Sequence, residues 1–72
     1  MPGVLIFNIS LTKNGSCRVT RSTAAGDVTS PVVLRRSDLE HYFKGSTLVR
    51  GTLSDVWEDL DRVGIVEFSV IE

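Results

Sequence analysis

The chain has 72 residues, of which 42% are apolar and 24% charged, and its formal net charge at pH 7 is −1. This length predicts one domain with a small core, and the apolar fraction excludes a disordered chain. A single cysteine, Cys17, excludes an internal disulfide, so we expect a reducing compartment, the cytoplasm. The first eleven residues hold only a short apolar run with no basic start, so neither a signal peptide nor a membrane span is expected.

Three strands are predicted in the first half of the chain. Apolar and polar residues alternate over Val4–Thr12, which is typical of a strand with one buried face. Asn14-Gly15 then indicates a turn, and residues 16–23 are a second run rich in β-formers. Residues 28–34 are a third run, which Pro31 confines to a sheet edge because proline donates no ladder hydrogen bond.

The length of the first hairpin loop decides which side chains share a face. A two-residue turn sets Leu11 opposite Arg18, whereas a three-residue loop with a left-handed Gly15 sets Leu11 opposite Cys17. Because a one-residue slip moves every side chain to the other face, only the second register keeps the apolar residues together. We therefore predict the three-residue loop, which places Arg18 beside Ser10 on a polar outer face.

A short helix is predicted to follow the third strand. Ser37, with Glu40 three residues later, has the pattern of a capping box. Leu39, Tyr42 and Phe43 give this helix an apolar side, and the helix is expected to end at Gly45, a residue typical of a helix C-terminus. The linker that follows is expected to be anchored by Leu48 or Val49.

A longer helix is predicted over residues 53–63, with Thr52 as its N-cap and Gly64 as its C-cap. Its apolar stripe consists of Leu53, Val56, Trp57, Leu60 and Val63. A helix this short is marginal alone in water, so the stripe must pack on the sheet. Trp57, in the middle of the stripe, is the predicted core anchor. Residues 65–71 alternate again and form the last strand.

The order of these elements is βββααβ, and a helical hairpin would return the last strand beside the first. We therefore predict a single small α+β domain over residues 1–72, with a four-stranded antiparallel sheet in the spatial order 4-1-2-3. Both helices pack on one face of this sheet. The residues predicted to point towards them are Leu5, Phe7, Ile9, Leu11, Cys17, Val19, Val66, Phe68 and Val70.

The sequence shows no catalytic or metal-binding constellation. Cys17 is predicted to be buried in the core, whereas His41, the only histidine, is predicted to be exposed on the short helix. A nucleophile–base pair between them is therefore not expected. A metal site would need three or four converging ligands, and the acids of the longer helix are spread around it. We expect no enzymatic activity, no cofactor and no metal.

Charge is unevenly divided along the chain. Residues 1–50 hold seven Lys or Arg and three Asp or Glu, whereas residues 51–72 hold one and six. This division predicts two faces of opposite sign, either of which could contact a partner. The acidic candidate is the outer face of the longer helix, with Asp55, Glu58, Asp59 and Asp61. The basic candidate is the rim of the open sheet, with Arg18, Arg35 and Arg36.

A series of motifs runs through the chain in the order Asn8-Ile9, Asn14-Gly15-Ser16, a basic second strand, Leu39–Gly45 and a second helix. This order, over residues 8–64, resembles one family of small phage anti-CRISPR proteins. The resemblance implies an antiparallel sheet backed by two helices, and an inhibitor that binds a type I-F CRISPR surveillance complex and blocks its pairing with DNA. Thr12 and Thr23 stand where that family has a contact tyrosine and an acidic residue, so the resemblance leaves the target open.

Two functional hypotheses remain. The first is a non-enzymatic inhibitor, encoded by a phage or mobile element, that binds a host protein or nucleoprotein complex inside the host cell. The second is a small nucleic-acid-binding or regulatory module that uses the basic residues of the N-terminal two-thirds. The outer sheet face lacks the aromatic residues of single-strand-binding sheets, which favours the first hypothesis. No membrane partner is expected, and pairing of edge strands offers a route to a homodimer.

Overall fold

The computed structural model describes residues 3–71, in which two helices pack on one face of an antiparallel sheet. The strands are β1 Val4–Leu11, β2 Cys17–Thr23, β3 Val32–Leu34, β4 Thr47–Leu48 and β5 Ile65–Ile71. The helices are α1 Arg36–Tyr42 and α2 Leu53–Val63. These elements confirm the predicted α+β class. Residues 1, 2 and 72 of the predicted domain lie outside the described residues.

The sheet has five strands in the order β3-β2-β1-β5-β4, so the prediction of four strands in the order 4-1-2-3 is wrong. The additional strand is β4, which the sequence analysis treated as a linker. It pairs with the far end of β5, where Leu48 lies opposite Val70, and the Val49 N–H donates to the Ser69 carbonyl at 3.0 Å. Two residues are too few to show the apolar–polar alternation of a strand, so the sequence carries no sign of β4. It forms because the edge of β5 is free to pair with it.

The hairpin of β1 and β2 has the predicted register. Leu11 lies opposite Cys17, and the Thr12 N–H donates to the Ser16 carbonyl at 2.8 Å across the three-residue loop. Gly15 has a φ of 83°, the left-handed conformation that such a loop requires. The register places apolar residues of both strands on the helix side and Arg18 on the other side.

The caps of α2 are those expected from the sequence. The Thr52 hydroxyl accepts a hydrogen bond from the Asp55 N–H, and the Asp55 carboxylate accepts one from the Thr52 N–H, both at 3.3 Å. Gly64 ends the helix with a φ of 89°, and its N–H donates to the Leu60 carbonyl at 2.8 Å. Local chemistry thus fixes both ends of this helix.

The segment that leads into α1 differs from the prediction. Ser37 is not its N-cap, because α1 already begins at Arg36 and Arg35 precedes it without a side-chain cap. The helix ends at Tyr42 rather than continuing to Gly45. The third strand is also shorter than predicted, since only Val32–Leu34 pairs continuously with β2. Pro31 directly precedes β3 and has no backbone N–H to donate, which explains why the pairing with β2 is interrupted there.

Phe43, directly after α1, occupies the centre of the core and is only 1% exposed. The ring of Phe43 lies 4.8 Å from that of Phe7 and 5.1 Å from that of Phe68, in edge-on arrangements. Trp57, the predicted anchor, is only partly buried and packs against the outside of this cluster, at 6.1 Å from Phe43. The buried set is Phe7, Ile9, Cys17, Val19, Leu39, Phe43, Val56, Leu60, Phe68 and Val70.

Two residues predicted to be in the core are exposed instead. Leu11 is 38% exposed because β5 begins opposite Ser10, one residue short of covering it. Val63 is 62% exposed because it lies in the last turn of α2, at the end of the sheet. The core is therefore shorter along the strands than the apolar pattern suggests.

Candidate functional site at the open sheet face

The sheet face opposite the helices carries an arginine between exposed apolar side chains. Strand pairing aligns one row across four strands in the order Val33, Arg18, Ser10 and Ile65. Val33 is 60% exposed and Ile65 is 59% exposed, and Arg18 is exposed between them. We call this row the Arg18 row. Exposed apolar side chains beside an arginine are the composition that protein interfaces favour.

A shallow hollow of about 250 Å³ lies beside the Arg18 row. Its polar lining comes from the next row of the sheet, where Thr20 and Asn8 are paired, and Pro31 closes one side. Glu67 follows Asn8 across the sheet, so this second row is polar. The row after it has the half-buried Ile6 on the central strand, between Ser22 and Ser69.

Arg35 lies near one end of the Arg18 row. It follows β3 directly, whose Val33 pairs with Arg18, and it is exposed. The structure therefore brings two of the three predicted basic residues to the same end of the sheet. Neither of them forms an ion pair within residues 3–71.

Arg36 was predicted to lie on the rim of the open sheet. It lies instead between the two helices, on the opposite side of the sheet. Its guanidinium makes a bidentate ion pair with the Asp61 carboxylate, with the Nη2–Oδ2 contact at 3.1 Å. Its Cζ lies 5.2 Å from the ring centroid of Trp57, a cation–π arrangement. The buried Nε is 3.6 Å from a Glu40 carboxylate oxygen, too long for a hydrogen bond. This arginine joins α1 to α2.

The Arg36–Asp61 pair joins one residue from each of the two predicted charged faces. The hydrogen bond from Arg36 holds the pKa of the Asp61 carboxyl below its ordinary value. The same hydrogen bond raises the pKa of Arg36 further. Both shifts favour the charged forms, so this pair acts as a structural contact between the two helices.

The acidic face of α2 is largely engaged within the protein. Asp55 belongs to the capping box, and Asp59 accepts a hydrogen bond from Arg62 at 2.9 Å. With Asp61 paired to α1, Glu58 is the one predicted acidic residue that has no hydrogen bond or ion pair within the described part of the chain. This surface is less suited to a partner's cations than its sequence indicated.

Cys17 and His41 lie in different environments. Cys17 is fully buried, and desolvation raises the pKa of its thiol, which makes it less reactive. His41 is exposed on α1. Over residues 3–71, no three His, Cys, Asp or Glu side chains are grouped to hold a metal ion. No helix in that range has the length and apolar character needed to cross a membrane.

An apolar cleft on the helix side of the sheet has Arg21 at its mouth, and the sequence did not predict it. Arg21 lies opposite Phe7, so its side chain points to the opposite face from that of Arg18. The predicted register already implied this pairing, because Leu11 opposite Cys17 sets Phe7 opposite Arg21 four residues further along each strand. The missing information was that no helix would cover this part of the sheet.

Comparison of the chain with models of protein families, with curated proteins and with solved structures gave no match. On the surface of the protein, the Arg18 row is the best-defined candidate for contact with a partner.

Proposed function

We propose that the protein is a non-enzymatic inhibitor that binds another protein or a nucleoprotein complex through its open sheet face. The observation that carries this proposal is the Arg18 row, in which Val33 and Ile65 flank an exposed arginine. A partner that covers this row would bury two apolar side chains and provide an acidic group for Arg18. Arginine anchors within apolar surroundings contribute strongly to many protein interfaces.

The basic end of the sheet is favoured over the acidic face of α2 as the contact surface. Arg18 and Arg35 are exposed, whereas Asp55, Asp59 and Asp61 already have partners within the protein. Breaking those contacts on binding would cost free energy that the open sheet face does not require. The partner is therefore expected to present an acidic patch with apolar side chains beside it.

The motif resemblance supports a narrower form of this proposal, in which the partner is a type I-F CRISPR surveillance complex. In this form, the protein comes from a phage or mobile element, acts in the host cytoplasm and covers part of the complex so that target DNA does not bind. Electrostatic attraction would speed the encounter and make it sensitive to salt.

The test measures binding of a labelled target duplex to a purified type I-F surveillance complex, with and without the protein. The wild type is expected to reduce duplex binding, and Arg18→Glu and Ile65→Glu are expected to lose this inhibition. Lys13→Glu is the control, because Lys13 is an exposed residue of the hairpin loop and lies outside the Arg18 row. Circular dichroism checks that each variant folds.

Two results would count against the proposal. Full inhibition by both row variants would place the contact elsewhere on the molecule. If the wild type does not inhibit, the narrower form is wrong; affinity capture from phage-sensitive host cells, with Arg18→Glu as the comparison, then tests the general form. A protein captured equally by both forms would show that the row is not the contact.

Direct nucleic-acid binding is the alternative function. The arrangement of the basic residues makes it the less favoured of the two. Arg18 and Arg21 point to opposite faces, and Arg36 is engaged by Asp61. A basic groove that follows a phosphate backbone needs its cations on one surface. Fluorescence anisotropy with a random duplex at two salt concentrations separates the alternatives, since only a nucleic-acid-binding module should bind and lose affinity steeply with salt.

A further inference from the structure

A cleft of about 290 Å³ opens between α1 and the edge of the sheet formed by β2 and β3. The buried side chains of Phe7, Val19, Leu39 and Phe43 form its floor. The cleft exists because α2 packs on β5 and β1, while the seven-residue α1 is too short to cover β3 as well. We call it the Arg21 cleft.

The mouth of the Arg21 cleft carries a single cation. Arg21 is exposed there, and its guanidinium makes no ion pair or hydrogen bond with any residue from 3 to 71. Among residues 3–71, no Asp or Glu lines the cleft. Exposed Tyr42 and Val32 form the remaining apolar rim. The cleft therefore combines an apolar floor with one positive charge at its entrance.

The loop at the mouth is held in place by backbone contacts. The Thr29 N–H donates to the Arg21 carbonyl at 2.8 Å. The Thr29 hydroxyl accepts a hydrogen bond from the Arg21 N–H and donates one to the Arg21 carbonyl, both at 3.2 Å. These contacts hold the backbone from which the Arg21 side chain extends at the mouth of the cleft.

We propose that the Arg21 cleft binds a small amphipathic carboxylate, with an apolar body of one or two rings on the floor and its carboxylate paired with Arg21. This site is on the opposite face of the sheet from the Arg18 row and is independent of the proposed function. A cavity of about 150 Å³ accommodates benzene, so the volume here fits a two-ring body. Concave apolar sites with few polar groups are the usual form of small-molecule sites.

A carboxylate fits better than other charged groups. A guanidinium presents two parallel N–H donors that match the two oxygens of a carboxylate. A phosphate monoester carries nearly two negative charges at neutral pH, and the single Arg21 among the lining residues would balance only one of them. An ammonium group would be repelled by Arg21 and would find no acid among the lining residues. Phe7 and Phe43, whose rings are already packed edge to face, would extend this packing to an aromatic ligand.

The test uses three compounds with the same indole ring, titrated into the ¹⁵N-labelled protein and followed by NMR. Indole-3-acetate carries a negative charge on its side arm, tryptamine carries a positive charge on its side arm, and indole has neither arm nor charge. Indole-3-acetate is expected to bind about tenfold more tightly than indole, and tryptamine more weakly than either. The largest amide shifts should lie at the cleft, at Val19, Leu34 and Phe43.

Matched variants identify the cation responsible. Arg21→Gln should reduce the affinity for indole-3-acetate to that for indole, a loss of about tenfold. Arg18→Gln is the control, because it removes the same charge from the same strand on the opposite face and should leave the affinity unchanged. Val32→Trp should fill the cleft from its exposed rim and abolish binding of all three compounds while the core stays intact.

Three outcomes would overturn the proposal. The first is equal affinity for the three compounds, and the second is an unchanged affinity for indole-3-acetate in Arg21→Gln. The third is movement of the cleft resonances with protein concentration alone, which would show that a second copy of the chain occupies the cleft.

Discussion

Phe43 is the residue on which most of the core converges, although the sequence gives it no special prominence. Its ring contacts those of Phe7 and Phe68, and Trp57 packs on it from outside. The larger size of Trp57 favoured it as the anchor in the sequence analysis. The size of a residue does not show how deeply it is buried, because burial depends on where each helix crosses the sheet. Trp57 covers the outside of the core and contacts Arg36.

Phe43→Ala is expected to destabilise the protein by about 3–5 kcal/mol, because it removes a fully buried ring and leaves a cavity. Trp57→Ala should cost less, since part of that ring is already in water. Urea denaturation monitored by circular dichroism compares the two, with Phe43→Leu as a milder change that retains a folded baseline. A larger loss for Trp57→Ala would contradict the central position of Phe43.

Gly15→Ala is expected to destabilise the protein by about 1 kcal/mol through backbone strain alone. The added methyl group would meet no atom within 4 Å, and the φ of 83° is the only obstacle. Gly15→Asn should cost less, since asparagine tolerates this conformation better. The measurement is the difference in urea midpoint between the two variants. Equal midpoints for Gly15→Ala and the wild type would exclude the strained loop.

At the scale of elements, the two helices are joined by a contact that no local pattern predicted. Arg36 opens α1 and Asp61 lies near the end of α2, so their pairing depends on how both helices settle on the sheet. This contact pairs Arg36, from the predicted basic rim, with Asp61, from the predicted acidic face of α2. Formal charge along a sequence therefore overestimated the charge available to a partner.

The Arg36–Asp61 pair should make stability depend on pH. The folded-state pKa of Asp61 lies below its ordinary value of 3.8, so the pair stabilises the fold fully above that value and loses its effect as pH falls through the lowered pKa. Wild type should therefore be more stable than Asp61→Asn at neutral pH, and the difference should shrink in acid. Thermal unfolding between about pH 7 and pH 2 measures it.

Glu58→Gln is the control for this pH dependence, because Glu58 is on the same helix without an ion partner in the described residues. It should differ little from wild type at neutral pH. A difference between wild type and Asp61→Asn that stays constant into acid would assign the effect of Asp61 to packing rather than charge.

An element could be predicted from the sequence when the contacts that determine it join residues close to one another in the chain. The β1–β2 register and both caps of α2 depend on residues close in sequence, and they were predictable from turn and capping chemistry. The position of Arg18 followed from that register. Strand β4, the start of α1 and the location of Arg36 depend on partners far along the chain, so the local pattern carried no sign of them.

At the scale of the whole molecule, both edges of the sheet are short. β3 has three residues and β4 has two, and Pro31 precedes β3. Short edges with proline offer few free backbone groups in line, which limits pairing with another sheet. We therefore expect a monomer rather than an edge-paired homodimer. Sedimentation equilibrium over a wide concentration range checks this, and a concentration-dependent dimer would contradict it.

The pairing of β1 with β5 has a consequence for how the chain reaches its fold. The first and last strands described are neighbours in the middle of the sheet, with Val4 opposite Ile71. During synthesis, β1 and β2 emerge well before β5, so Phe7 lacks its contact with Phe68 until β5 has been made. Closing so long a loop is slow compared with forming a hairpin.

A circular permutant removes this delay. Joining the two ends through a short linker and opening the chain at Asn14 would turn the β1–β5 pairing into a hairpin. The permutant should refold faster than the natural order while the free energy of unfolding changes little, as stopped-flow fluorescence of Trp57 would measure. Equal refolding rates would mean that pairing of the ends does not limit folding. Faster refolding of the permutant would mean that β1 and β2 of the nascent chain stay open to chaperones and proteases until the seven-residue β5 pairs with β1.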